Sequence, residues 1–195
     1  KNHQYMAVES PILEKTYTVE EYFELEKHSE IRHEYYYGKL LLKSGGSKKE
    51  NRIAGNCEFQ LRLQLRKKGL DFFRHDVRML VREQKIYRYP DFVIAPVVDD
   101  SDSHLIKQSV LVIEVSSDNS DHTDRVTKRN EYLNLPTLQY YLIISQSERL
   151  INMYSRDEKG WRFDSFSKEE EVIEFTSLGA KLSLSDIYDE VEFSI

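Results

Sequence analysis

Apolar positions along the chain switch between two periods, and the switches mark out its elements. "TVEEYFELEK" (18–27) opens a helix, because Thr18 and Glu21 stand at capping-box spacing and can satisfy two amides at the helix start. "IRHEYYYGKLLL" (31–42) reads as two strands about a turn at Gly38. In "SKKENRIAGNCEFQLRLQLRKKG" (47–69), Ile53, Cys57, Leu61 and Leu65 recur every four residues, which predicts the longest helix, with Gly69 as its stop. "DFFRHDVRMLV" (71–81) sets Val77, Met79 and Val81 against polar neighbours, the pattern of a single strand with one wet face, and 82–85 reads as the turn after it. "DFVIAP" (91–96) and "VLVIEV" (110–115) are the most apolar runs and should be central strands. "DRVTKRNEYLNL" (124–135) reads as a helix ended by Pro136, "TLQYYLIIS" (137–145) as a strand, and 150–166 as a hairpin about Asp157 to Gly160. "SLGAKLSLSDIYDEV" (177–191) should end in a short helix. Strands interleaved with a few helices predict an α/β (α+β) chain with a central mixed sheet flanked by helices.

The 195 residues, 39% of them hydrophobic, suit one domain over 16–195 with a sizeable core. Residues 1–15 read as a flexible tail in which Met6-Ala7 offers a native start. No apolar run approaches the ~20 residues that span a bilayer, so no membrane partner is expected. No secretory leader pattern is evident, and the single cysteine, Cys57, rules out an internal disulfide; both suggest a reducing, cytoplasmic home. A net charge of −6 gives no whole-chain support for nucleic-acid binding, but a local basic patch remains compatible with it.

Two carboxylates change this picture. Asp91 stands at the mouth of the 91–96 strand, and Glu114 lies inside a β-branched run. A lone carboxylate in such a place is costly unless it is paired or holds a metal. Two carboxylates on adjacent strands can hold Mg²⁺, which prefers oxygen ligands, and such an ion can activate water for phosphodiester hydrolysis. Lys128, on the following helix, can orient that water or stabilise developing negative charge.

The pieces "YPDFVIAP" and "LVIEV" resemble the two half-motifs of the PD-(D/E)xK nucleases. The ordered set "YTVEEYFEL", "RHEYYYGKLL", "NRIAGN", "DVRMLV", "YPDFVI", "LVIEVSS", "DRVTKRNEYLNLPTLQYYLII" and "SLGAKLSLSDIY" resembles one branch, the Uma-two family of endonucleases, over nearly the whole chain after residue 15. No single piece is specific; their order is. The resemblance implies a restriction-endonuclease-like fold and Mg²⁺-dependent cleavage of nucleic acid, most readily DNA, with Mn²⁺ a possible substitute, by a homodimer. It implies that Asp91 and Glu114 bind the metal beside the Val115 carbonyl and that Glu34, the early glutamate of the family hairpin, supports it. The usual lysine two places after the glutamate is here Ser116; the family's shifted D-x-x-x-K-x-x-x-Y pattern falls on Asp124, Lys128 and Tyr132. A family histidine before "NRI" is here Glu50.

Other readings stay open at this level. Asp91 after Pro90 also suits a turn, and Glu114 can be half of a buried salt bridge to Lys128 or Arg78. Asp124 can cap its helix, and Glu34 can pair with Arg32 or Lys39 across the hairpin. Ser116 and the acidic charge suit a catalytically inactive nuclease-fold module that binds nucleic acid or protein. Arg62, Arg66, Lys67 and Lys68 give one helix a basic face, most simply a solvated one. The six histidines show no zinc pair, "DNSDHTD" (118–124) fails as a calcium loop, "SGGSKK" fails as a phosphate loop, and Cys57 suits the core.

Overall fold

The computed structural model describes residues 15–43, 45–98, 102–116 and 123–193, the side chains of 123–125 excepted. The expected tail, apart from Lys15, and most of the rejected calcium-like loop lie outside them.

Helix α1 (Val19–His28) begins as its sequence dictates: the Thr18 amide donates to Glu21 Oε2 (2.9 Å), and the Glu21 amide donates to Thr18 Oγ1 (3.1 Å). Strands β1 (His33–Tyr36) and β2 (Lys39–Leu42) form the hairpin about Gly38. Tyr37 (φ 46°) and Gly38 (φ 87°) are both left-handed, as the twist of a two-residue hairpin loop requires. Helix α2 (Lys48–Leu65) buries Ile53, Cys57, Leu61 and Leu65 completely. It stops at Leu65; Gly69 (φ 72°) instead serves the turn into the next strand.

The stretch read as one strand over 71–81 is two: β3 (Leu70–Arg74) and β4 (Arg78–Arg82), which belong to different sheets. The chain breaks at His75, whose φ is 49°. Polar and apolar residues alternate across the break, so the pattern hides it. Strand β5 (Ile86–Arg88) returns from the turn at 82–85. Then follow β6 (Phe92–Pro96), β7 (Leu105–Ile106) and β8 (Leu111–Ser116). A π-helical turn (Thr123–Lys128) runs into the short α3 (Arg129–Tyr132), and β9 (Tyr140–Ser145), β10 (Ile151–Asp157) and β11 (Gly160–Phe166) complete the larger sheet. A small hairpin, β12 (Val172–Phe175) with β13 (Ala180–Ser183), leads to α4 (Leu184–Ile187).

The six-stranded sheet runs β11-β10-β9-β8-β6-β3, with β6 and β8 in its interior as the apolar runs predict. It is mixed: β8 and β9 are parallel and the other neighbours antiparallel. That parallel pair needs a crossover, and the segment with α3 supplies it. A five-stranded sheet, β2-β1-β5-β4-β7, accompanies it. Helix α2 covers one face of the larger sheet, packing on Phe92, Ile94, Leu111, Ile113, Leu142 and Ile144. On the other face, Val93, Val112 and Ile143 meet Met79 of the smaller sheet and Tyr132 and Leu135 from the crossover. Helix α1 packs Val19 and Tyr22 on Tyr35 and Tyr87 of the smaller sheet. Among the described residues no helix is long and apolar enough to cross a membrane.

Candidate metal centre

Strand pairing brings the two conspicuous carboxylates together. Phe92 pairs with Ile113 in the antiparallel β6–β8 ladder, and the register carried one residue on sets Asp91 opposite Glu114. The backbone completes the link: the Val115 amide donates to Asp91 Oδ2 at 2.7 Å. Both side chains are buried, at 2% and 1% exposure. Along β8, Leu111, Ile113 and Val115 face α2. Glu114 therefore projects to the opposite face, toward α3.

There it is matched by the helix that follows. Lys128 Nζ donates to Glu114 Oε1 at 3.1 Å, and the Tyr132 hydroxyl donates to the same oxygen at 2.7 Å. The four-residue spacing does aim Lys128 and Tyr132 at one target; the Asp124 side chain lies outside the described residues. Burial, reinforced by Glu114, raises the Tyr132 pKa well above its ordinary value, so the hydroxyl remains a donor. Lys128 also stands 3.4 Å from Glu34 Oε1. Glu34 receives two more donors, Arg88 Nη1 at 2.8 Å and the Tyr89 amide at 3.3 Å. Burial alone would raise the Glu34 carboxyl; Lys128 and Arg88 outweigh it and hold its pKa below the ordinary value. Arg88 in turn grips Glu131 with Nε (2.8 Å) and Nη2 (2.6 Å), a two-pronged contact that fixes α3 against the sheet.

The remaining side of Asp91 faces other groups. Lys43, just beyond β2, places Nζ 2.9 Å from Asp91 Oδ1. Burial disfavours its ammonium, but Glu114 and Asp91 hold the pKa above the ordinary value. His75 Nδ1 lies 3.8 Å from the same oxygen. Burial lowers the imidazole pKa, with Asp91 opposing, so the neutral form is favoured. Glu50, in the first turn of α2, completes the group, and burial and then Asp91 push its carboxyl up to about 7. Lys43, Glu50 and His75 also line a cleft of about 360 Å³ together with Gly45, Gly46 and Asn51.

The raised Glu50 carboxyl carries a stability signature. Between its ordinary value of 4.5 and about 7 the folded chain holds a proton that the unfolded chain releases. Stability therefore falls as pH rises through that window. Glu50→Gln should gain on the wild type more at about pH 8 than at about pH 5, measured by chemical denaturation without added metal. An equal gain at both values would refute it.

Asp91, Glu114, Lys128 and Glu34 thus lie in one connected network. Lys43, His75, Arg88 and Glu131 belong to the same network, although the sequence pattern does not single them out. Arg88 had a signal: an arginine between two tyrosines, just before the "PD" pair, in a segment too short to leave the sheet. Cys57 is core as expected, and burial pushes its thiol up to about 12, away from nucleophilic use. The basic helix face is partly engaged, since Arg62 Nη2 donates to Glu58 at 2.7 Å.

A family model described as "Putative restriction endonuclease", Uma2, matches residues 19–185. The chain belongs to the Uma2 family. Two proteins of Synechocystis sp., the uncharacterized proteins sll1609 and slr1290, are each 26% identical to this Uma2 protein. The first match covers 83% of this chain and 94% of the relative, the second 89% and 92%. Among solved structures, a "putative nuclease belonging to DUF820" from Anabaena variabilis superposes with a TM-score of 0.71 at 17% identity, covering 88% of this chain and 97% of that one. The likeness establishes the restriction-endonuclease-like fold expected from the sequence. Family membership supports a nuclease function for this Uma2 chain, in a class of folds that uses divalent metals.

Proposed function

We propose that this Uma2 chain is a metal-dependent endonuclease that hydrolyses phosphodiester bonds, with DNA as substrate. One observation carries the reading: two buried carboxylates, Asp91 and Glu114, are joined across the β6–β8 ladder with two lysines set against them. Buried charge so arranged is unfavourable for folding alone and marks functional sites. The donor set fits a divalent ion. It offers carboxylates and a neighbouring histidine, His75, whose Nδ1 lies 3.8 Å from Asp91 Oδ1.

In this reading Asp91 and Glu114 hold the ion, Mg²⁺ or Mn²⁺. When bound it supplies Lewis acidity to the scissile phosphate and acidifies water. The chain does the rest. The Val115 amide fixes Asp91 Oδ2, so Oδ1 points toward the cleft. Tyr132 and Lys128 fix Glu114 Oε1. Lys128 offsets negative charge where the shifted motif lysine is expected, in place of Ser116. Glu34 already receives Arg88, Lys128 and the Tyr89 amide. It therefore acts through Lys128, with one acceptor site left for the ion or a water bound to it. Lys43 lies on the open side and can meet a phosphate oxygen. Two such centres paired about a twofold axis would cut both strands together, so the active assembly in this reading is a homodimer.

A plasmid-nicking assay with Mg²⁺ or Mn²⁺ tests the proposal, wild type beside Asp91→Asn. Nicking by the wild type alone supports it. Nicking by both removes Asp91 from the site. Ser116 and the Lys43–Asp91 pair favour a second reading, an inactive nuclease-fold module. Silence of the wild type on supercoiled and single-stranded DNA, with no metal uptake, favours that module.

A further inference from the structure

Three side chains from separate elements converge beside Asp91 Oδ1. Glu50 comes from the first turn of α2, His75 from the corner between β3 and β4, and Asp91 from the mouth of β6. Each offers one ligand atom, and these atoms lie within 4.8 Å of one another. The corner is fixed by the backbone, where the His75 amide donates to the Asp91 carbonyl at 3.4 Å. His75 holds a left-handed φ of 49°, a region that residues other than glycine seldom occupy. Its Nδ1 lies 3.8 Å from Asp91 Oδ1, beyond hydrogen-bond reach, which leaves room for an ion between the two atoms. The Gly46 backbone leaves the room that the Glu50 carboxylate takes, since an added Cβ would lie 2.5 Å from Oε1 and 3.0 Å from Cδ.

The chemistry of this trio differs from that of the Asp91–Glu114 pair. Two carboxylates alone are hard oxygen donors and suit Mg²⁺. An imidazole beside carboxylates favours ions that accept nitrogen, such as Mn²⁺, Co²⁺ and Zn²⁺. Lys43 already sets a positive charge at the same oxygen, 2.9 Å away. An ammonium at that oxygen competes with a metal ion for the same negative charge.

We infer that Glu50, His75 and Asp91 form a nitrogen-containing site for a transition-type divalent cation, which takes the place of the Lys43 ammonium. The inference rests on the metal-dependent reading of Asp91 and deepens it by naming the ion class. It also gives Glu50 a role, as a ligand from the first turn of α2. Displacing Lys43 from Asp91 would free its ammonium for substrate phosphate at the moment the ion arrives.

The test uses the full chain and two measurements: calorimetric titration with Mn²⁺ and with Mg²⁺, and pulsed electron paramagnetic resonance of bound Mn²⁺. Mn²⁺ should bind at least about tenfold more tightly than Mg²⁺, with nitrogen coupling from one imidazole. His75→Asn should abolish the coupling and weaken Mn²⁺ by about 10- to 100-fold, while Mg²⁺ changes by less than about threefold. Asparagine tolerates the left-handed backbone, and circular dichroism checks the fold. Glu50→Gln should also weaken Mn²⁺, and Lys43→Met should tighten it by removing the competing cation. The nitrogen coupling is read on the wild type, so the result does not hang on any variant folding. Bound Mn²⁺ without nitrogen coupling, or Mn²⁺ affinity unchanged in both Glu50→Gln and His75→Asn, would overturn the inference and leave an oxygen-only Asp91–Glu114 site with the nuclease reading intact. Nitrogen coupling without nicking would uphold the site and sink the nuclease reading. Absence of any metal binding would sink both.

Discussion

Arg88→Ala should lower the midpoint of thermal unfolding by roughly 10 °C, the largest stability loss expected of any single change at the site. Arg88 is 1% exposed and donates to three carboxylate oxygens: two of Glu131, at 2.8 and 2.6 Å, and one of Glu34, at 2.8 Å. Burial disfavours its charge, but Glu131 and Glu34 together raise its pKa, so attraction wins. Truncation leaves Glu131 without this grip and Glu34 with Lys128, the more distant Lys43 and one amide against its charge. Breaking a buried pair from one side costs about 3–5 kcal/mol, at about 2–4 °C per kcal/mol in a chain of this size. Arg88→Met should do nearly as much damage, because the missing charge rather than the missing volume dominates. Arg88→Met with Glu131→Leu should recover part of the loss, since replacing both partners of a buried pair by apolar groups is far cheaper than removing one. Calorimetric melting of the three variants decides it. Equal midpoints for wild type and Arg88→Ala would show that the network contributes little.

The contrast between what the sequence revealed and what it concealed follows from locality. The Thr18–Glu21 box, the Gly38 turn and the Ile53-Cys57-Leu61-Leu65 stripe each lie within a few residues, and each element appears where its pattern placed it. Glu114 was legible because a carboxylate in a β-branched run breaks the local rule, and such breaks concentrate at functional sites. Asp91 needed the register to give it meaning, and the register needed β6 and β8 to be neighbours. Lys43, Glu50 and His75 violate no local rule. A lysine after a strand, a glutamate in the first helical turn and a histidine in a polar stretch are all ordinary, and only the tertiary fold gathers them. His75 was hidden further by the alternation that runs unbroken through the corner it makes. The turn at 123–128 also reads as a plain helix in sequence, although the chain widens there into a π-turn before α3.

Glu114→Gln should reduce plasmid nicking by at least about a hundredfold while leaving the protein folded. Glutamine keeps the volume of a side chain that is 1% exposed, so no cavity forms and the packing of Val112 and Ile143 around it is retained. The amide oxygen can still accept from Tyr132, whose hydroxyl now lies 2.7 Å from Oε1. Lys128 keeps an anionic partner in Glu34, 3.4 Å away, so its buried charge is not stranded. The stability cost should therefore stay within about 1–3 kcal/mol, that of one weakened buried hydrogen bond. What the variant loses is the negative charge that faces Lys128 and, across the ladder, Asp91. That charge is what a divalent ion requires from β8, and no other carboxylate on β8 can replace it. Glu114→Ala would lose the same charge but would also leave Tyr132 and Lys128 without the oxygen they share, so its inactivity could reflect misfolding. The glutamine variant separates the two causes. Nicking rates, melting midpoints and Mn²⁺ affinity should be measured on the same preparation. A folded Glu114→Gln protein that nicks DNA as fast as the wild type would remove Glu114 from the mechanism and leave its ion pair with Lys128 a purely structural one.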